Sequence, residues 1–456
     1  MAEYFPLLMM LLTFGFLLLG FPVAFSLAGS SLLFAGIGLY TGHFDPDFIS
    51  AFPGRVYGVM LNETLLAVPL FVFMGVVLEK TKISEDLLES MASLFGGLRG
   101  GLALSVCLVG GLLAASTGIV GATVVTMGLI SLPLMLSNKY PATFSSGVIC
   151  ASGTLGQIIP PSIVLVVLGD VISTAHQQAQ LDQGVFSPQT VSVGDLFIGA
   201  LIPGIILMAA YMLYTLLLSI LKPQYFPPAK VQSQGAWKKA LKALVAPLFL
   251  ITGVLGSILF GLATPTEAAA IGGVGALFLG FFKNSLDLKK MKEACVSTTH
   301  ITSMVFTILM GAAMFSLVFR GFEGDEWVRE ALTSFHGSLW ASFWLVMLVI
   351  FLLGFFLDFF EITFVIIPIV GPILLGMGLD PLWFGVLVAL NLQTSFLTPP
   401  FGFSLFYLRG VMPKEVTTLQ MYRGVIPFIA IQILVMALIY FYPPLVTWLP
   451  EKILGV

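Results

Sequence analysis

Two pairs of adjacent prolines stand inside otherwise uncharged stretches, each just downstream of a cluster of hydroxyl and amide side chains. The first cluster is Ser152-Gly153-Thr154 with Gln157, followed by Pro160-Pro161. The second is Asn391, Gln393, Thr394, Ser395 and Thr398, followed by Pro399-Pro400. Proline lacks a backbone N–H and its ring obstructs the preceding turn, so a helix carrying such a pair releases carbonyls upstream of it. Freed carbonyls and hydroxyls are hard oxygen ligands suited to a sodium ion. The exposed N–H groups that open the next half-helix attract a carboxylate. Thr154, Gln157, Gln393 and Ser395 are the candidates for touching such a substrate. Two further segments gather polar groups at their middles: 100–138 with Ser116, Thr117, Gly121 and Thr123, and 338–379 with Asp358, Glu361 and Thr363. A hydroxyl in a helix ordinarily bonds its own backbone, and a single proline ordinarily only kinks a helix. Paired prolines that recur behind hydroxyls favour the functional reading.

The elements that must position these groups are membrane helices. Of 456 residues, 58% are hydrophobic and 9% are charged, against about 25% charged in soluble domains. Uncharged runs at 4–42, 64–78, 100–138, 140–169, 196–221, 243–266, 294–319, 381–408 and 424–450 leave room for many spans of roughly 20 residues. The alternating pattern of a membrane barrel is absent, so the spans are helical. A charge at the bilayer centre costs about 2.5–3.5 kcal/mol, so Asp358 is expected to face a cavity or an ion, with Glu361 nearer water. No stretch between runs has room for a soluble catalytic domain, no HExxH motif occurs, and Asp358 has no second in-membrane aspartate at a position suited to an aspartyl protease; an enzyme is not expected. No basic run suggests nucleic acid. His43, His176, His300 and His336 lack metal-ligand company, and Cys107, Cys150 and Cys295 read as isolated thiols. The first apolar run has no preceding Lys or Arg and continues to about Tyr40, so a cleaved signal peptide is not expected.

Features recur along the chain in one order. Pro399-Pro400 follows Pro160-Pro161 by 239 residues, Gly20-Phe21-Pro22 has a counterpart at 261–265, and Asp325-Glu326 follows Ser84-Glu85 by 241. The offset falls to 224 between Pro203 and Pro427, as an insertion at 170–195 would produce. These matches predict an internal repeat. Each half has five membrane crossings plus one hairpin, and the odd number inverts the second half. The first repeat, 1–221, contains an amphipathic arm helix (83–98), a hairpin (100–138) and a broken helix (141–169). A cytoplasmic linker follows at 222–242. The second repeat, 243–456, contains an arm (325–336), a hairpin (338–379) and a broken helix (381–408). With both termini outside, only Arg55, Arg320, Arg329 and Lys452 among the 20 basic residues fall outside, which is the positive-inside pattern.

The segment 261–270, Gly-Leu-Ala-Thr-Pro-Thr-Glu-Ala-Ala-Ala, resembles the TPTEA segment of the large membrane subunit of TRAP transporters, the tripartite ATP-independent periplasmic carriers. Segments 20–25, 66–72, 152–162 and 394–402 are similar to others of that family, and the resemblance runs over nearly the whole chain. It implies a permease of a bacterial inner membrane, both termini periplasmic, working with a small four-helix membrane subunit and a periplasmic substrate-binding protein. It implies no cofactor, only sodium as the coupling ion, and import of a small organic anion, carboxylate or sulfonate. An elevator domain with re-entrant hairpins would move against a scaffold. Carried onto this chain, the sodium sites would be Ser116, Thr117, Thr123, Ser152 and Gly153 in one half and Asp358, Thr363, Asn391, Thr394 and Thr398 in the other. Two departures stand out: the first hairpin tip is lean in hydroxyls, and 170–195 is a long insertion. The insertion reads as a surface loop or as part of the docking face, where Asp182, Asp195, Glu323, Asp325 and Glu326 would meet a basic partner. Glu267 reads as a packing or hydrogen-bonding residue. The rival reading is a self-sufficient sodium–anion symporter of the same inverted architecture.

Overall fold

A computed structural model describes residues 4–81, 83–228, 236–334 and 338–454, without the side chains of residues 84, 114–117, 236, 239, 334 and 454. The described residues form helices and connecting turns. The first half runs α1 (Phe5–Leu18), α2 (Val23–Thr41), short α3 (Asp47–Ser50) and α4 (Phe52–Met60), α5 (Ala67–Lys80), α6 (Ile83–Phe95), α7 (Gly101–Thr117), α8 (Val120–Ser137), α9 (Ala142–Thr154), α10 (Ile163–Asp182) and α11 (Val193–Leu221). The second runs α12 (Ala236–Leu259), α13 (Pro265–Phe282), α14 (Leu288–Gly321), α15 (Gly324–Ser334), α16 (Leu339–Leu353), α17 (Phe359–Glu361), a π-turn (Ile362–Ile366), α18 (Ile367–Gly376), α19 (Pro381–Leu397), α20 (Phe403–Val411), α21 (Thr418–Phe441) and α22 (Pro444–Leu454).

Local chemistry sets the boundaries. Each proline pair interrupts a helix: α9 ends in a 3-10 turn at Leu155–Gln157 before α10, and α19 ends at Leu397 before α20. The 261–270 segment is a helix start. Pro265 occupies the first helical turn, Thr264 Oγ1 accepts from the Glu267 N–H (3.3 Å), and Glu267 Oε2 accepts from the Thr264 N–H (2.8 Å). This reciprocal capping satisfies two donors at once. Glu267 is therefore a hydrogen-bonding residue, and its exposed side chain does not pack.

Packing pairs the halves. α2 lies along α14 and α5 along α13; α9 lies along α21 and α11 along α19; α8 contacts α20 and α10 contacts α18. Small residues permit the closest of these approaches. A Cβ at Gly424 would sit 1.9 Å from the Thr143 carbonyl oxygen, and one at Gly311 would sit 2.6 Å from that of Ala24. Backbones that touch this closely gain dispersion contact that lipid cannot offer in exchange. The arm helix α6 buries Leu87, Leu88 and Met91 against α7 and α12, and an Asp86–Lys283 ion pair ties it to the end of α13. The arm α15 packs on α14 and α18, and Arg329 reaches Asp182 of α10 at 3.3 Å.

The described residues include eight helices long and apolar enough to cross a membrane, or nine if the bent pair Asp47–Met60 and Thr64–Lys80 counts as one span. Two of the eight, α8 and the continuous Phe359–Gly376, fall in the segments 100–138 and 338–379 expected to form hairpins. The stretch 170–195 differs from the loop expected there. α10 continues through Asp182, burying Val171, Ile172, Ala175 and Ala179 at helical spacing, so only 183–192 is connection. Phe335 and His336, expected at the end of the second arm, lie outside the described residues.

Candidate functional site

The two broken segments meet at their polar clusters. Gln393 Nε2 donates to Thr154 Oγ1 at 3.3 Å, and the pair shares the 239-residue offset that separates Pro160 from Pro399. Gln157 and Phe396, three residues on from Thr154 and Gln393, line a cavity of about 240 Å³, whereas Thr154, Gln393 and Ser395 do not line it. Its wall takes Gly118 to Gly121 from the α7–α8 turn, Gln157, Ile163 and Val164 from the first break, and Asp358 to Phe360 from the second hairpin. Phe396, Phe403 and Tyr407 come from the second broken segment, and Ile301 and Met304 from α14.

Four helices start at this cavity: α8, α10, α17 and α20. The residues preceding α8, α10 and α20 (Ile119, Ser162 and Gly402) make no side-chain capping bond. Together, the first-turn N–H groups of each helix carry the partial positive charge of a helix start, about half an elementary charge per helix. The fourth start is closed by its own carboxylates: the Phe359 N–H donates to Asp358 Oδ1 (2.7 Å) and the Asp358 N–H to Glu361 Oε2 (2.9 Å). Gln157 is fully buried and neither amide atom has a partner. Among the described residues, no Lys or Arg lines the cavity. The wall thus offers dipoles and one unpartnered amide to an anion, and one carboxylate to a cation.

The remaining predicted residues lie around this centre. Ser152 and Gly153 sit between the arms of the first hairpin: a Cβ on Gly110 would meet Ser152 at 2.5 Å, and one on Gly153 would meet Val124 at 2.3 Å. Asn391 Nδ2 donates to the Met347 carbonyl of α16 at 2.7 Å, and a Cβ on Gly354 would meet Ser395 Oγ at 2.1 Å. Thr123, Thr394, Ser395 and Thr398 bond to carbonyls of their own helices: Ile119 (3.1 Å), Leu390 (2.7 Å), Leu392 (2.8 Å) and Thr394 (2.7 Å). Each keeps an oxygen lone pair. Thr363 is fully buried in the π-turn and its hydroxyl has no partner. The side chains of Ser116 and Thr117 lie outside the described residues. Both Pro160-Pro161 and Pro399-Pro400 are cis. Glu361, expected nearer water, is only 7% exposed, because it caps the helix that Asp358 begins. Asp182 and Asp195, expected to face a partner, are engaged within the chain, with Arg329 and with the Ser192 N–H (2.7 Å).

Sequence reasoning missed the aromatic wall and the contribution of α14. Tyr407 carries the only phenol of the uncharged run 381–408, which was the available signal. Nothing in the sequence points to Ile301 or Met304.

A family model described as the DctM component of the tripartite ATP-independent periplasmic transporter matches residues 9–445. The C4-dicarboxylate TRAP transporter large permease protein DctM of Vibrio cholerae is 28% identical over 98% of this chain and 98% of its own length. The sialic acid TRAP transporter large permease protein SiaM of the same organism is 29% identical over 97% of each. Among solved structures, the YdaH transporter of Alcanivorax borkumensis superposes with a TM-score of 0.61 at 15% identity, covering 87% of this chain and 89% of that one. That likeness concerns the fold alone.

Proposed function

The chain belongs to the DctM component family of tripartite ATP-independent periplasmic transporters, and from that premise we propose that it imports a small organic anion by sodium-coupled alternating access. The cargo sits in the cavity between the two hairpins and the two broken helices. The observation that carries this reading is the convergence of three uncapped helix starts on a cavity that also holds Asp358 and the unpartnered Gln157. Three half-charges suffice to hold one carboxylate or sulfonate. The carboxylate of Asp358 would repel that same anion across a low-dielectric space. A cation that neutralises Asp358 therefore raises the affinity for the cargo, and this is the physical basis of coupling. The hairpins and broken helices supply oxygen ligands suited to sodium: the lone pairs of Ser152, Thr394 and Thr398, the Thr363 hydroxyl, and carbonyls released at the breaks. None of these four side chains lines the cavity itself.

The cavity has one wall, α14, that belongs to neither hairpin nor broken helix. In the proposed mechanism, the hairpins with α9, α10, α19 and α20 carry the cargo past α14 as one elevator unit. The arms α6 and α15 brace the helices on which that unit slides. A small membrane subunit extends the scaffold, and a periplasmic binding protein delivers the anion, which two relatives' names give as a C4-dicarboxylate and sialic acid. Uptake into proteoliposomes is the test, with sodium, the small subunit and the binding protein each omitted in turn. Loss of uptake on omitting any one is expected. Normal sodium-dependent uptake by this chain alone would replace the tripartite reading with a self-sufficient symporter.

A further inference from the structure

Arg55 and Arg320 are two of the four basic residues that the positive-inside reading leaves on the outer face, and they are 265 residues apart in sequence. Arg329, on the same face, is occupied by Asp182. Arg55 on α4 and Arg320 in the last turn of α14 have no hydrogen-bond or ion-pair partner among the described residues. Both nevertheless line one cavity of about 350 Å³, where their like charges act on each other. A position near a helix C-terminus accounts for Arg320 on dipole grounds alone. It does not account for Arg55, nor for placing two guanidinium groups on one recess. The single carboxylate of the recess, Asp170, is held by Asn62, whose amide lies 3.1 Å from both carboxylate oxygens. Among the described residues neither guanidinium is within ion-pair distance of a carboxylate, although Arg320 also borders an adjoining recess lined by Asp182, Asp325 and Glu326.

The recess adjoins the central cavity along three shared helices. On α14 the central cavity ends at Met304 and the recess begins at Leu309; on α10 the corresponding residues are Val164 and Asp170; on the helix of the second hairpin they are Phe360 and Phe364. At 1.5 Å per residue these steps are about 8, 9 and 6 Å. An anion in the recess is therefore one to two helical turns from the central site, between the proposed moving unit and α14. We infer that this recess is a second, outer anion site, in which Arg55 and Arg320 receive the carboxylate or sulfonate cargo before it enters the central cavity. The inference rests on the reading of the cargo as an organic anion. Guanidinium forks match planar carboxylates and sulfonates, and the central cavity lacks any such group. A recess walled by Val59, Ala312 and Ala313 suits a small solute better than a protein side.

The test uses the chain with its small membrane subunit in phosphatidylcholine nanodiscs, labelled with the arginine reagent phenylglyoxal and read residue by residue by mass spectrometry. Millimolar succinate or methanesulfonate is expected to slow labelling of Arg55 and Arg320 roughly threefold or more, as direct guanidinium–anion contact requires, while Arg329 is unchanged. Absence of protection by both anions would overturn the site. So would protection that appears only in nanodiscs containing phosphatidylglycerol, which assigns the arginines to lipid headgroups. Protection that appears only when the binding protein is added would assign them to docking. In transport, Arg55→Gln and Arg320→Gln are each expected to raise the apparent KM roughly tenfold, with the sodium half-saturation unchanged and Lys substitutions restoring part of the loss. Unchanged KM in the double variant would also refute the site. Failure of the wild-type complex to take up any organic anion would sink the proposed function instead, and the labelling result separates the two failures.

Discussion

Replacing Asp358 by asparagine isolates the charge that the proposed coupling depends on. Asparagine is as good an N-cap as aspartate, so the bond from the Phe359 N–H is kept and the start of α17 stays closed. The donation from the Asp358 N–H to Glu361 is backbone and is untouched. What is removed is one negative charge in a cavity of about 240 Å³. A sphere of that volume is about 8 Å across, which sets about 8 Å as the working separation between a bound anion and the carboxylate. At an effective dielectric of about 20, two like charges 8 Å apart repel by about 2 kcal/mol, which is roughly thirtyfold in affinity. In the native complex, raising sodium from trace to saturating levels is therefore expected to lower the apparent substrate KM roughly thirtyfold, by neutralising Asp358. In Asp358→Asn the KM is expected to be nearly independent of sodium, and a sodium gradient is expected to drive no accumulation. Initial rates in proteoliposomes across a sodium series measure both. A variant whose KM still falls thirtyfold with sodium, and which still accumulates substrate, would remove Asp358 from the coupling mechanism.

Three further outcomes follow from the same structure. Gln157→Leu is expected to raise the KM about tenfold while leaving the melting temperature unchanged or higher, because a buried amide without partners costs about 1–3 kcal/mol in the empty carrier; a lower melting temperature with normal KM would contradict this role. Gly424→Ala is expected to destabilise the chain by at least about 1–3 kcal/mol, since its methyl group would meet a backbone oxygen that cannot move aside, whereas Gly253→Ala, with open space around it, serves as the neutral control; equal thermal melts in detergent would refute the close approach of α9 and α21. A cysteine at exposed Gln224 is expected to react with an impermeant maleimide only from the cytoplasmic side, and one at exposed Phe186 only from outside; the reverse pattern would overturn the topology.

The broken helices were legible because their cause is local: a proline pair interrupts a helix wherever it falls, and the hydroxyls beside it are visible in the same short window. The 3.6-residue spacing of Val171, Ile172, Ala175 and Ala179 was equally visible, and it marks 170–182 as helix; polar glutamines on the other face gave it the look of a loop. Glu361 was misplaced although the D-x-x-E signature of a capped helix start, Asp358 to Glu361, is written in the sequence. Its carboxylate turns inward to accept from the part-buried Asp358 N–H. Arg55 and Arg320 could not be paired from sequence at all. They converge only once α4 and α14 are packed, and tertiary packing of uniformly apolar helices leaves almost no periodic trace from which to read which faces meet.

Weakness of the central site is itself part of the proposed mechanism. Helix starts without Lys or Arg hold an anion through partial charges, each useful over about one turn, and part of that gain is offset by desolvating the anion. A carrier built this way releases its cargo readily once sodium leaves Asp358. It is correspondingly poor at extracting a dilute solute from water. A deep guanidinium site at the centre would reverse both properties, giving tight capture and slow release. Separating the tasks resolves the conflict: strong positive charge stands at the outer recess, where capture matters, and only dipoles stand where the cargo must be let go. A soluble binding protein takes that separation one step further, because it concentrates the anion at the entrance without adding any charge to the path. On this reading the absence of a fixed cation in the cavity and the presence of two unpaired arginines outside it are one arrangement. Together they set an affinity that falls from the outer recess to the centre, and sodium bound at Asp358 offsets part of that fall by removing the charge that repels the cargo.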